Sequence, residues 1–143
     1  MEQLLRSGLK LLTLLGRCLL ALLFVLAGFN KLGTIAATSH TMASHGIPLS
    51  DYLVWGVAAL ELGGGMMLIV GFVARIVALV FFFYLLALAV MFYPFWTATG
   101  QAQRAEYFSF YTHLSVMGGM LFVVAFGPGP YSIDALIWRR PKL

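Results

Sequence analysis

The stretch Leu9–Phe29, LKLLTLLGRCLLALLFVLAGF, decides the fold of this chain. At about 1.5 Å per residue, a helix of this length crosses the roughly 30 Å hydrocarbon layer of a bilayer. A cleaved signal peptide is the alternative interpretation. It is disfavoured because Arg17 interrupts the apolar region, which also exceeds the roughly 7–15 residues that a signal peptide needs. We therefore predict a membrane-spanning helix that stays in the mature protein.

Three more apolar stretches along the chain have the length of a membrane span. They cover residues 52–70, 76–92 and 107–126. The interval 31–51 carries Ser, Thr, His, Gly and Pro and is expected to be a loop or an interfacial segment, whereas residues 71–75 form a short turn. Glycine and proline at 127–130 end the last helix. We predict an all-α integral membrane four-helix bundle in one domain, residues 1–143.

The composition agrees with a membrane protein. Of the 143 residues, 62% are apolar and 10% are charged, and the mean hydropathy is +0.95. One soluble core cannot bury so much apolar surface, so the lipid bilayer is the expected partner. The nine Lys and Arg residues are scattered singly, which disfavours nucleic acid as a partner. Cys18 is the only cysteine, which excludes an intramolecular disulfide.

The positions of the basic residues predict how the bundle crosses the membrane. Four spans place one group of basic residues on one side: Arg6, Lys10, Arg75, Arg139, Arg140 and Lys142. The other side has Lys31 and Arg104. Because basic residues concentrate in cytoplasmic loops, both termini are predicted to be cytoplasmic.

Three ionisable residues, Arg17, Glu61 and His113, lie inside the predicted spans. Such a group costs several kcal/mol in hydrocarbon unless it is paired, hydrated or neutralised. From their depths we predict that Arg17 pairs with Glu61 inside the bundle. Lys31 lies on the same helical stripe as Arg17. These four residues are the predicted polar cluster within the membrane.

Small residues on the spans predict where helices approach closely. They are Ala59, Gly63, Gly65, Ser115 and Gly119. Two interpretations of the polar residues remain open beside this packing. They either hold the helices in register, or, through a carboxylate and an imidazole, relay protons to a quinone or a similar small electron carrier.

Other candidate sites are weaker. His40 and His45 lack the Cys or acidic neighbours of a metal site, and the methionines at 66, 67, 117 and 120 are typical packing residues, so no metal is assigned. The sequence has no nucleotide-binding loop, haem-binding Cys pair or nucleophile triad. These absences favour an accessory subunit over an independent enzyme.

The order of short motifs along the chain resembles the DoxX family of bacterial membrane proteins. The motifs are Arg17, AGFNKL at 27–32, MASHGIP at 42–48, ELGGG at 61–65, GFVAR at 71–75, the segment 113–119, and GPGPYSID at 127–134. The resemblance implies a multi-pass bacterial inner-membrane protein with four helices. This chain departs from the family pattern at Thr112-His113, where many members carry Lys-Asn.

The family is named for a subunit of a terminal or thiosulfate:quinone oxidoreductase, and related proteins are associated with oxidative stress. The resemblance therefore implies a subunit or accessory of a quinone-linked redox or oxidative-stress system. On this hypothesis Glu61 and His113 lie near a bound quinone, and Arg17 and Lys31 tune the charge. The alternative is a non-catalytic scaffold that binds a redox enzyme subunit or a second copy of itself.

Overall fold

The computed structural model describes residues 2–137, and its regular structure there is entirely helical. The helices are α1 (Glu2–Gly33), α2 (Ile35–Ser44), α3 (Ser50–Val70), α4 (Ala74–Phe92), α5 (Gly100–Phe126) and α6 (Ile133–Ile137). Within the described part of the chain, α1, α3, α4 and α5 are long and apolar enough to cross a membrane. The predicted all-α membrane bundle with four spans is thereby confirmed. Arg139, Arg140 and Lys142 lie outside the described residues, and the orientation of the termini stays a prediction.

The spans are longer than predicted, and the first interval is more ordered. Helix α1 continues to Gly33 and α5 already begins at Gly100, because a helix does not have to end where the hydrocarbon ends. Residues 35–44, predicted as a loop or an interfacial segment, form α2. Its Ser39 hydroxyl donates a hydrogen bond to the Asp51 carboxylate, and the hydroxyl oxygens of Ser39 and Ser50 lie 3.2 Å apart. These bonds fasten α2 to the start of α3.

The bundle is built from two antiparallel helix pairs. Helix α1 packs closely along α3, and α4 along α5, while the contacts between the two pairs are sparser. The rings of Phe24 on α1 and Phe81 on α4 stack across this junction with centroids 3.9 Å apart. The buried core consists of Ala21, Phe24, Leu68, Ala74, Val77, Ala78, Phe81, Leu85, Met117, Met120 and Val123. Space for a cavity therefore remains between the pairs.

Gly28 sets the distance between α1 and α3. A Cβ atom at this position would lie 2.8 Å from the Leu62 backbone nitrogen and 3.1 Å from the Ala58 carbonyl oxygen. We expect Gly28→Ala to lower the free energy of unfolding by about 1–3 kcal/mol, since backbone cannot move aside as a side chain can. Unfolding by SDS in mixed micelles, followed by circular dichroism, measures the change.

Gly16→Ala is the matched control for this prediction on the same helix. A Cβ atom at Gly16 would have no heavy atom within 4 Å, so this variant should keep or slightly raise the stability. Equal stability of the two variants would contradict the assignment of Gly28 as the close-packing position.

Candidate functional site

A buried carboxylate, Glu61, is the centre of the candidate site. Glu61 lies midway along α3 and is 2% exposed. The Lys31 ammonium donates to both carboxylate oxygens, at 2.9 Å to Oε1 and 2.8 Å to Oε2. The Tyr84 hydroxyl donates to Oε1 at 2.5 Å. An ionised carboxylate is thus paired and hydrogen-bonded at a depth where it would otherwise be costly.

Three helices bring these groups together. Lys31 lies in the last turn of α1, where its long side chain can reach back along α3. Tyr84 lies midway along α4 and places its hydroxyl at the junction of the helix pairs. Because α1 and α3 run antiparallel, Lys31 near the end of α1 and Glu61 midway along α3 lie at the same depth.

A cavity of about 250 Å³, the Glu61 cavity, opens beside this carboxylate. Its lining residues are Leu23, Phe24, Ala27, Lys31, Glu61, Tyr84, Leu85, Leu88, Tyr93, Thr112, His113 and Val116. The rings of Tyr93 and His113 lie with centroids 4.9 Å apart. Leu23 is 48% exposed and Thr112 is exposed, so the cavity reaches the lipid-facing surface between α1 and α5. Most of its wall is apolar or aromatic, with few polar groups at defined places.

A second cavity lies on the other side of Lys31, beneath α2. It measures about 320 Å³ and is lined by Thr38, Thr41 and Met42 of α2 together with residues of α3 and α4. Lys31, Tyr84, Leu88 and Tyr93 line both cavities. The Lys31 side chain, 24% exposed, thus connects the buried carboxylate with the end of the bundle that α2 covers.

The predicted Arg17–Glu61 pair is wrong. The Arg17 guanidinium lies at the opposite end of the bundle, where it donates to the carbonyl oxygens of Ile69 at 3.0 Å, Tyr131 at 2.7 Å and Pro128. We call these four residues the Arg17 cluster.

Lysine replaces arginine as the partner of Glu61 because Lys31 also lies on the buried stripe of α1 and reaches the carboxylate. Of the predicted polar cluster, Lys31, Glu61 and His113 come together and Arg17 does not.

The Arg17 cluster belongs to a larger set of bonds that holds the segment after α5. The Asp134 carboxylate accepts hydrogen bonds from the backbone nitrogens of Val73 at 2.7 Å and Ala74 at 2.9 Å. An acidic side chain at this place caps the first turn of α4 and favours its dipole. Gly71, with φ +69°, ends α3 in the left-handed conformation. These bonds fasten the segment after α5 to the turn between α3 and α4.

The small residues predicted to pack helices divide into two groups. A Cβ atom at Gly65 would lie 2.7 Å from Val25 Cγ2, and one at Gly119 would lie 2.9 Å from Leu20 Cδ2. Both glycines therefore pack against α1. Ala59, Gly63 and Ser115 are exposed on the outside of the single chain, and any close approach there involves another molecule.

Sequence reasoning did not assign Tyr84, Tyr93 or Asp134 to a site. Tyr84 carries the only polar group in the apolar run 76–92, a signal that could have identified it. Asp134 caps the backbone nitrogen of Val73, 61 residues earlier in the chain, and no local sequence pattern predicts such a bond. Within the described residues no group of three or more His, Cys, Asp or Glu side chains is placed to hold a metal ion.

Comparisons with known proteins place the chain among bacterial membrane proteins. A family model described as DoxX matches residues 12–94. "Inner membrane protein YphA" of Escherichia coli (strain K12) is 31% identical over 123 residues, covering 86% of this chain and 88% of the relative. "Inner membrane protein YqjF" of the same organism is 33% identical over 127 residues, covering 89% and 92%. No solved structure gives a significant match. The family match includes Lys31, Glu61 and Tyr84, whereas His113 lies beyond it.

Proposed function

This chain belongs to the DoxX family, and from its buried polar site we propose that it is a quinone-binding subunit or accessory of a redox or oxidative-stress system in the bacterial inner membrane. The observation that carries the proposal is the Glu61 cavity, in which a charged and hydrogen-bonded network faces a largely apolar and aromatic space. Apolar pockets with a few convergent polar groups are typical of small-molecule sites.

The shape and position of the Glu61 cavity suit the ring of a lipid-soluble carrier. A volume of about 250 Å³ accommodates a single substituted ring, and the partly exposed ring of Tyr93 provides an aromatic wall. The opening between α1 and α5 lets an apolar tail extend into the bilayer. A water-soluble ligand would not require an opening that faces the bilayer.

The polar groups suit a molecule that takes up protons when it is reduced, which is the chemistry a quinone supplies. Glu61, Tyr84 and Lys31 form one connected hydrogen-bond network, and each carries or accepts exchangeable protons. Because Lys31 also lines the cavity beneath α2, this network leads away from the hydrocarbon toward the α2 end of the bundle. Protons can therefore exchange there without crossing lipid.

Quinone content measured after purification in mild detergent tests the proposal. We expect stoichiometric quinone in the wild-type protein and only the detergent-lipid background in the double variant Lys31→Met/Glu61→Gln, because the double variant removes both charges of the network and leaves neither unpaired. Arg104→Leu, which removes an exposed charge outside the cavity, should retain the wild-type content. Background quinone in the folded wild-type protein would overturn the proposal.

A non-catalytic scaffold is the second candidate function. It is favoured by Ala59 and Gly63, which are exposed on α3, and by the empty space at Gly63, where a Cβ atom would meet nothing within 4 Å. Small residues at this spacing let another helix approach closely. The partner would be a redox enzyme subunit or a second copy of this chain. Absence of quinone from the wild-type protein would favour this candidate.

A further inference from the structure

A hydrogen bond within α5 sets the tautomer that a neutral His113 ring adopts. Its Nδ1 lies 2.8 Å from the Ser109 carbonyl oxygen. A carbonyl oxygen only accepts hydrogen bonds, so Nδ1 is the donor of this bond. His113 lies midway along the membrane-spanning α5. In the neutral ring the other nitrogen, Nε2, then carries a lone pair and can only accept.

The His113 imidazole lines the α5 wall of the Glu61 cavity, where Nε2 can accept a hydrogen bond from a ligand. Among the side chains that the structure describes, the His113 ring bonds only through Nδ1, and the imidazole lies beside the Tyr93 ring. The α1 wall holds a donor instead. Lys31 has three N–H groups and directs its hydrogen bonds to Glu61 alone among the described residues, so at least one N–H group remains for a ligand.

We infer that the Glu61 cavity binds the reduced, hydroxyl-bearing form of a quinone in preference to the oxidised form, an inference that rests on the proposed quinone site. A quinol hydroxyl can donate to Nε2 of His113, and its other oxygen can accept from Lys31. The oxidised ring carries only carbonyl acceptors, so a carbonyl lone pair would face the lone pair of Nε2 and no hydrogen bond could form. An unpaired polar group in a buried site costs more than a hydrogen bond gains.

The test compares the affinity of the wild-type protein for a decyl-substituted benzoquinone and for its quinol. Binding is measured by equilibrium dialysis in mild detergent without oxygen, with empty micelles as background. We expect the quinol to bind about tenfold more tightly, a ratio that corresponds to ~1.4 kcal/mol. The midpoint potential of the bound carrier should accordingly rise by about 30 mV relative to the carrier in empty micelles.

Two substitutions assign the preference to His113. His113→Phe keeps an aromatic ring against Tyr93 and removes the acceptor, so the ratio of the two dissociation constants should fall close to one. His113→Gln retains a polar side chain whose amide can either donate or accept, and it should also lose the preference while still binding both forms. The ratio is informative even if one variant folds poorly, because the other provides the same comparison.

The outcomes separate this inference from the function on which it rests. Equal binding of both forms by the wild-type protein, tighter binding of the quinone, or an unchanged ratio in a folded His113 variant would overturn the preference and leave the quinone site standing. Binding of neither form above the micelle background would overturn the proposed function itself, and this inference with it.

Discussion

Replacing Lys31 by methionine is expected to lower the free energy of unfolding by about 3 kcal/mol, near the lower end of the range for a broken buried ion pair. The Glu61 carboxylate, 3% exposed at its side chain, would keep only the Tyr84 hydroxyl as a hydrogen-bond donor. The value stays near the lower end because a buried carboxylate can also be neutralised by a proton. Methionine preserves most of the apolar length of the lysine stem.

The reciprocal and double variants show whether the two residues act as one unit. Glu61→Gln should cost less than Lys31→Met, because the amide oxygen still accepts from Tyr84 and the partly exposed ammonium of Lys31 can reach water. The double variant Lys31→Met/Glu61→Gln should be more stable than Lys31→Met alone by about 2 kcal/mol, since no buried charge is left unpaired. Unfolding in SDS mixed micelles measures all three.

Additivity is the outcome that would contradict the pair. If the loss in the double variant equals the sum of the two single losses, the residues do not interact in the protein. The same double variant removes both charges from the Glu61 cavity, so its stability must be known before its quinone content is interpreted. The two measurements therefore belong together.

Replacing Arg17 by leucine is expected to cost about 3 kcal/mol and to loosen the segment that follows α5. Each hydrogen bond from a charged donor contributes about 1.5–3 kcal/mol, and the guanidinium donates to three carbonyl oxygens. Their energies do not add fully, because these carbonyls lie near the end of the bundle where water can replace part of the loss. Arg17→Lys should recover only part of the stability, since an ammonium cannot imitate the planar fork of a guanidinium.

Limited proteolysis of residues 127–137, together with unfolding in mixed micelles, checks this prediction. Lys10→Leu is the control, because it removes a positive charge from the same helix at an exposed position. The control should keep the stability within about 0.5 kcal/mol and leave the cleavage rate unchanged. An Arg17→Leu protein as stable and as resistant as the control would mean that the Arg17 cluster does not hold this segment.

The predicted stripe that joins Arg17 and Lys31 on α1 faces the inside of the bundle over most of its length, although Thr13 at its start is exposed. On α1, Arg17, Ala21, Phe24 and Gly28 all face protein, as their spacing of three and four residues predicts. The stripe also correctly includes Lys31, which is partly buried. The pairing within that stripe was not predictable, because periodicity places a residue on a face and says nothing of which neighbouring group it meets.

The error over Arg17 has a specific physical origin. Depths counted along two separate spans suggested that a long arginine side chain could reach Glu61, and opposite charges favoured the pair. In the folded protein, carbonyl oxygens of the segment at 127–131 accept hydrogen bonds from the guanidinium instead. Sequence alone gives no sign that an irregular segment after α5 folds back against α1 and α3.

Hydrophobic length, charge and residue spacing by themselves determined that this chain is a helical membrane protein with four spans, and that Arg17 and Lys31 share one face of α1. These properties follow from the bilayer, since any apolar stretch of sufficient length must satisfy its backbone as a helix there. Only the tertiary structure decided that Lys31 and Tyr84 are the partners of Glu61, that a cavity separates the two helix pairs, and that Asp134 caps α4. Such contacts join residues far apart in the chain and depend on how whole helices shift relative to one another. Close packing sets that shift, and no local sequence pattern encodes it.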